Sequence, residues 1–144
     1  MSGRTKARIL MVGDVLVDRA DPNDAFRHIR GVLTAGDILF GNCEAVYSAV
    51  SAVPPHVGAA IVADPANVAG LASAGFTVMS CANNHIGDGG HIAMFETAEH
   101  LRNAGITPAG IGANLAGGTC PGHRRGTRSA DRGTRRRLGL PIRI

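Results

Sequence analysis

Asp14, Glu44, Asn84 and His85 carry the side chains with which this sequence could do metal-dependent chemistry, and each stands just beyond a short apolar run. Ile9-Leu10-Met11-Val12 leads into Gly13-Asp14, Ile38-Leu39-Phe40 into Gly41-Asn42-Cys43-Glu44, and Val78-Met79-Ser80-Cys81 into Ala82-Asn83-Asn84-His85. Oxygen-rich donors with one imidazole suit Mn, Mg, Fe or Zn in a hydrolytic site better than a thiolate-type structural zinc. Two such ions side by side would polarise a phosphoryl oxygen and activate a water, with a nearby His protonating the leaving group.

Each residue also has a plainer reading. An Asp after Gly13 is what a turn or cap uses, a single Glu44 is an ordinary solvated charge, and Asn83 fits an Asx-type turn. The Asn84-His85 pair is different, because consecutive ligand-competent side chains directly after an apolar strand exceed what a turn needs. Gly87, Asp88, Gly89 and Gly90 follow with a flexible link and another carboxylate. His28, His56, His91, His100 and His123 have no comparable setting.

These residues meet only if the apolar runs are neighbouring parallel strands, because ligands of open α/β sheets bind beyond the carboxyl ends of the strands. The intervening segments read as helices. Asp21-Pro22 and Asp64-Pro65 each place a capping Asp before a Pro at the first helical position. Phe26, Ile29 and Leu33 then fall at helical spacing with Gly36 to end the turn, and Val68, Leu71 and Ala72 do so before Gly75. A third helix at about 91–103 would bury Met94, Phe95, Ala98 and Leu101, with Gly105 after it. Strands are expected at about 37–41 and at 76–81, and 45–63 reads as a long loop with a short extended piece. Strands alternating with helices imply a mainly parallel sheet.

Length and charge divide the chain. Its 144 residues fit one domain with a proper core, and the 44% apolar content suits a folded protein. The net charge of +4 averages two unlike parts. Residues 1–116 hold 7 Lys/Arg against 10 Asp/Glu, whereas residues 117–144 hold 8 Arg against Asp131 alone. The Gly/Arg/Thr-rich segment 117–144 has no apolar period and is expected to be disordered. Cys43, Cys81 and Cys120 imply no disulfide framework; Cys43 and Cys81 read as small buried thiols. The apolar stretch after Arg4, Lys6 and Arg8 is too short for a signal-peptide core, and Pro54-Pro55 interrupts residues 45–63 well short of a membrane span. A cytoplasmic protein without a membrane span is the expectation.

The blocks Gly13-Asp14, Gly41-Asn42-Cys43-Glu44 and Ala82-Asn83-Asn84-His85 with Asp88 and Gly90 closely resemble the pattern of CapA-type proteins. Thr97, Leu101, Ala104-Gly105-Ile106 and Gly110-Ile111-Gly112-Ala113-Asn114 continue it, so the resemblance covers about 8–116. This family is named for capsule and poly-γ-glutamate synthesis and is similar to the calcineurin-like metallophosphatases. The resemblance implies an α/β fold, a sandwich of two sheets flanked by helices, of which residues 1–116 would be the N-terminal β-α half. It also implies Asp14, Glu44 and Asn84 as ligands of divalent metal, dinuclear in a full-length relative. His85 would be the proton donor or transition-state stabiliser, and Asp88 the residue that orients it. Cys43 stands where the family usually has Leu.

The family continues past Asn114-Leu115-Ala116 into strands carrying further His ligands, and segment 117–144 reads instead like out-of-frame translation or a diverged truncation. An incomplete, inactive phosphoesterase-like chain follows, with one apolar sheet face open to a partner chain that completes it. The phosphorylated or polymer substrate is left open. Two other readings are weaker. The Arg-rich tail could bind nucleic acid, but it has no aromatic residue to stack bases and no recognisable module. A nucleotide-binding domain would need GxGxxG or a P-loop where Gly13-Asp14 stands.

Overall fold

The computed structural model of the protein describes residues 6–50 and 58–119. Its elements run β1 (Ile9–Val15), α1 (Arg30–Leu33), β2 (Ile38–Cys43), β3 (Val46–Tyr47), β4 (Val62–Ala63), α2 (Val68–Ala74), β5 (Val78–Ser80), α3 (Gly90–Asn103), β6 (Thr107–Ala109) and α4 (Leu115–Thr119). Four strands form a parallel sheet in the order β1-β2-β5-β6, and β3 pairs with β4, also parallel, in a smaller one. The α/β class and the parallel sheet are those expected from the alternation of runs and caps.

Because the order in the large sheet follows the order in the chain, every crossover steps the same way. Right-handed crossovers then place the connecting helices on one face. The burial alternation agrees. Leu39, Gly41 and Cys43 of β2 and Met79 of β5 are buried, and a core of Leu71, Ala74, Ala98, Leu101 and Ile106 packs with them. The opposite face carries the cross-strand row Met11, Phe40, Val78 and Thr107. Met11 is 71% exposed and Ile9, one row earlier, 57%.

The pairing of β1 with β2 shifts register between Met11 and Asp14. A regular strand would turn residues three apart to opposite faces, and one extra residue restores them to the same face. Asp14 therefore comes opposite Asn42, in the same row as Ser80 and Ala109.

The helices differ from expectation in instructive ways. Asp21 does cap, its side chain accepting from the Asn23 N–H, but Pro22–Asp24 is a single 3-10 turn and α1 begins only at Arg30. Between them the bonds are of the i to i+3 type, from Arg27 to Asp24 and from Ile29 to Phe26. Phe26 packs edge-on against Phe76 with centroids 5.8 Å apart, Leu33 is buried, and Ile29 points to solvent. Asp64 caps a 3-10 turn that runs directly into α2, and Gly75 ends that helix at φ +94°, a left-handed conformation that favours glycine.

In α3 the buried stripe is Ala93, Thr97, Ala98 and Leu101, while Phe95 is exposed and Met94 half-buried. The helix is rotated toward its small residues because the Thr97 hydroxyl accepts from the Tyr47 N–H at 2.9 Å, which docks α3 on β3. The stretch expected as a long loop with a short extended piece holds two two-residue strands, β3 and β4, and its residues 51–57 lie outside the described residues. α4 continues through Gly117 and Gly118 to Thr119. The remainder of the segment read as a disordered tail, with all its Arg residues and Cys120, lies outside the described residues.

Candidate functional site

Beyond the carboxyl ends of β1, β2 and β5, one amide organises the polar cluster. Asn42, the penultimate residue of β2, donates through Nδ2 to Asp14 Oδ1 at 2.9 Å and to Glu44 Oε2 at 2.6 Å. Its Oδ1 accepts from Asn83 Nδ2 at 3.0 Å, and Asn83 Nδ2 also reaches the Cys43 carbonyl at 2.8 Å. Asn83 Oδ1 in turn accepts from the N–H groups of His85 and Ile86 at 2.9 and 3.0 Å, the Asx-type turn read from the sequence. Asn83 thus shapes the turn and fastens it to β2.

That turn delivers His85 to the carboxylates. His85 Nδ1 is 2.8 Å from Asp88 Oδ2, and Nε2 is 3.5 Å from Glu44 Oε1. Asp88 is buried, and the same Oδ2 accepts from the Ile61 N–H at 2.9 Å, just before β4. The dyad is anchored to the small sheet through this bond. The hydrogen bond to Asp88 raises the His85 pKa above its ordinary 6.5; desolvation opposes the rise, and the charges of Asp88, Glu44 and Asp14 add to it. These contacts favour the charged ring relative to a free imidazole.

The structure brings Asp14, Glu44, His85 and Asp88 into one connected network. Asn84 lies exposed in the same turn, and none of the side-chain hydrogen bonds among the described residues runs through it. Asn42 is the member that sequence reasoning passed over. The available signal was a polar amide inside an otherwise apolar strand, immediately before Cys43-Glu44.

The donors present are hard oxygens and one imidazole, the kind divalent cations of the Mg, Mn or Zn type accept. Among the described residues, however, no three His, Cys, Asp or Glu side chains gather into a group able to hold a metal ion. The chemistry of the donors fits a divalent ion, and their number fits part of a coordination shell.

Cys43 and Cys81 are buried free thiols beside the network; Cys43 Sγ donates to the Ala45 carbonyl at 3.5 Å, and Cys81 lies close enough to shift its titration. The neighbouring Cys81 and burial push the Cys43 thiol well above the ordinary cysteine range.

A parallel α/β sheet with carboxylate, amide and imidazole groups beyond its strand ends defines the class of protein. Residues 8–123 match the family model described as bacterial capsule synthesis protein PGA_cap, and the chain belongs to that family. Two proteins of Sinorhizobium fredii (strain NBRC 101917 / NGR234), named uncharacterized proteins y4uA and y4sH, are 35% and 34% identical to it over 116 residues. Each alignment covers 75% of this chain and 25% of the relative, so the chain spans about a quarter of the length of these curated relatives. No helix among the described residues is long and apolar enough to cross a membrane.

Proposed function

We propose that residues 1–116 form the N-terminal β-α part of a CapA-type, calcineurin-like metallophosphatase domain, with residues 117–144 a separate basic tail. In this reading the chain carries part of a divalent-metal phosphoesterase centre. The observation that supports it best is the Asn42-centred network, which draws Asp14, Glu44 and His85 together from three separate chain segments.

Asp14, Glu44 and Asn84 would hold a Mn, Mg, Fe or Zn ion, or one of two in a longer protein. When bound, the metal supplies Lewis-acid polarisation of a phosphoryl oxygen and lowers the pKa of a bound water. His85 presents Nε2 toward Glu44 while Asp88 holds Nδ1, so the ring is fixed in orientation with Nε2 facing the carboxylates. A ring held this way can donate its Nε2 proton to a leaving oxygen. Asp88 is a positioning residue, tied to the Ile61 N–H so that it cannot rotate away.

The apolar row Met11, Phe40 and Val78, with Ile9 and Ile38 beside it, is where the second sheet of a sandwich would pack. That sheet would come from further chain or from a partner chain. The free thiols Cys43 and Cys81 accord with a reducing, cytoplasmic location.

Hydrolysis of a chromogenic phosphodiester with added MnCl2 tests the reading. This chain alone should give no turnover above the metal blank, because it supplies only part of the shell. Turnover at ordinary enzyme rates, about 1 s⁻¹ or more, that survives in the wild type and vanishes in His85→Ala would overturn the partial-site assignment.

A further inference from the structure

The phosphoesterase reading gives no task to Cys43 and Cys81, yet their placement is specific. Cys43 closes β2 and Cys81 follows β5, and these strands pair in parallel with Asn42 opposite Ser80. One residue further along, Cys43 is the last residue of β2 and Cys81 the first past β5, its N–H bonded to the Ala109 carbonyl at 2.8 Å. Their exposures are 0% and 1%, both belong to the same buried core, and each thiol shifts the titration of the other. Adjacent strands lie about 4.8 Å apart, inside the Cα separation of about 4.4–6.8 Å that a disulfide bridges.

We propose that Cys43 and Cys81 are a modification site, joined by a hydroperoxide into a reversible disulfide that ties the end of β2 to the end of β5. One sulfur attacks the peroxide, breaking its O–O bond, and becomes a sulfenic acid as water leaves. The second sulfur displaces that hydroxyl as a second water. Two thiols and one hydrogen peroxide thus give one disulfide and two waters, with sulfur oxidised and peroxide oxygen reduced.

Access is gated by the site itself. Cys81 is followed by exposed Ala82 and by the turn that Asn83 fastens to the Cys43 carbonyl. Loosening that turn opens the thiols, so oxidation should be slow in the folded chain. Once formed, the bridge holds Asn42 and Glu44, on either side of Cys43, against the turn that carries His85. The bond would lock the polar network in the arrangement described above.

The test uses the full chain with Cys120→Ser, which leaves only these two cysteines. After hydrogen peroxide treatment, thiol titration in denaturant should fall from two thiols to none, and dithiothreitol should restore both. Peptide mapping without reductant should find Cys43 linked to Cys81 within one molecule, with the loss of two hydrogens. In Cys81→Ala/Cys120→Ser the single remaining thiol should give no intramolecular product. Two free thiols after prolonged treatment, sulfinic acid without a disulfide, or links only between molecules would overturn the proposal. The Cys120→Ser mapping decides it even where an alanine variant fails to fold.

Discussion

Replacing Asn42 by Asp tests whether its amide is what allows two carboxylates to sit together. Asn42 Nδ2 lies 2.9 Å from Asp14 Oδ1 and 2.6 Å from Glu44 Oε2. Asn42→Asp puts a third negative oxygen at that point. At about 3 Å each like-charge pair costs about 1.4 kcal/mol even at the dielectric of water. Two such pairs reach about 3 kcal/mol before the side chains splay apart. Asn42→Ala removes both donated hydrogen bonds, and also the one accepted from Asn83 that Asp would keep, without adding charge, at about 0.5–1.5 kcal/mol each. Asn42→Asp should therefore be less stable than Asn42→Ala by about 1 kcal/mol or more at low ionic strength. In urea monitored by far-UV circular dichroism, with a slope of about 1–2 kcal/mol/M, its midpoint should fall about 0.5–1 M below that of Asn42→Ala. Millimolar MnCl2 should narrow the gap by neutralising the cluster. Equal midpoints, or a more stable Asn42→Asp, would show that the amide is not holding the carboxylates together.

Further outcomes follow from other contacts. Thr97→Val keeps the shape of the side chain but leaves the Tyr47 N–H without its partner, and should cost about 1–3 kcal/mol in urea unfolding; Thr97→Ser should recover most of that loss. A Cβ on Gly70 would run into the Pro22 carbonyl oxygen, so Gly70→Ala should lower the urea midpoint by the equivalent of about 1–3 kcal/mol or more. The His85 ring, followed by NMR, should titrate above 6.5, and Asp88→Asn should bring it back down. Because the folded pKa is raised, His85 contributes stability that is complete below 6.5 and is lost as pH rises through the folded value. A His85→Gln variant should accordingly lose more stability at pH 6 than at pH 8, and the opposite trend would contradict the Asp88 contact.

Much of the fold was legible because its signals are local. Asp-Pro caps, Gly75 after a periodic stripe and apolar runs closed by polar residues each follow from backbone chemistry within a few positions. What failed depended on distant partners. The segment from Phe26 to Leu33 has helical spacing, yet Phe26 packs on Phe76 and the turns between are 3-10. In α3 Ala98 and Leu101 are buried as expected, but Ala93 and Thr97 replace Met94 and Phe95 because Thr97 serves the Tyr47 N–H, a contact 50 residues away. In the site, Asp14, Glu44, His85 and Asp88 could be named from their position after strands. The β1 register shift that aims Asp14, and the role of Asn42, could not, since both depend on which strand lies beside which.

The central claim is that Asp14, Glu44 and the Asn84-His85 turn form part of one divalent-metal site. Titrating MnCl2 into the isotope-labelled chain and following paramagnetic broadening of its NMR signals tests this most directly. The account predicts that broadening begins at Asp14, Glu44, Asn84 and His85, and that Asp14→Asn combined with Glu44→Gln abolishes it there. Broadening that starts elsewhere, or that is unchanged in the double variant, would contradict it.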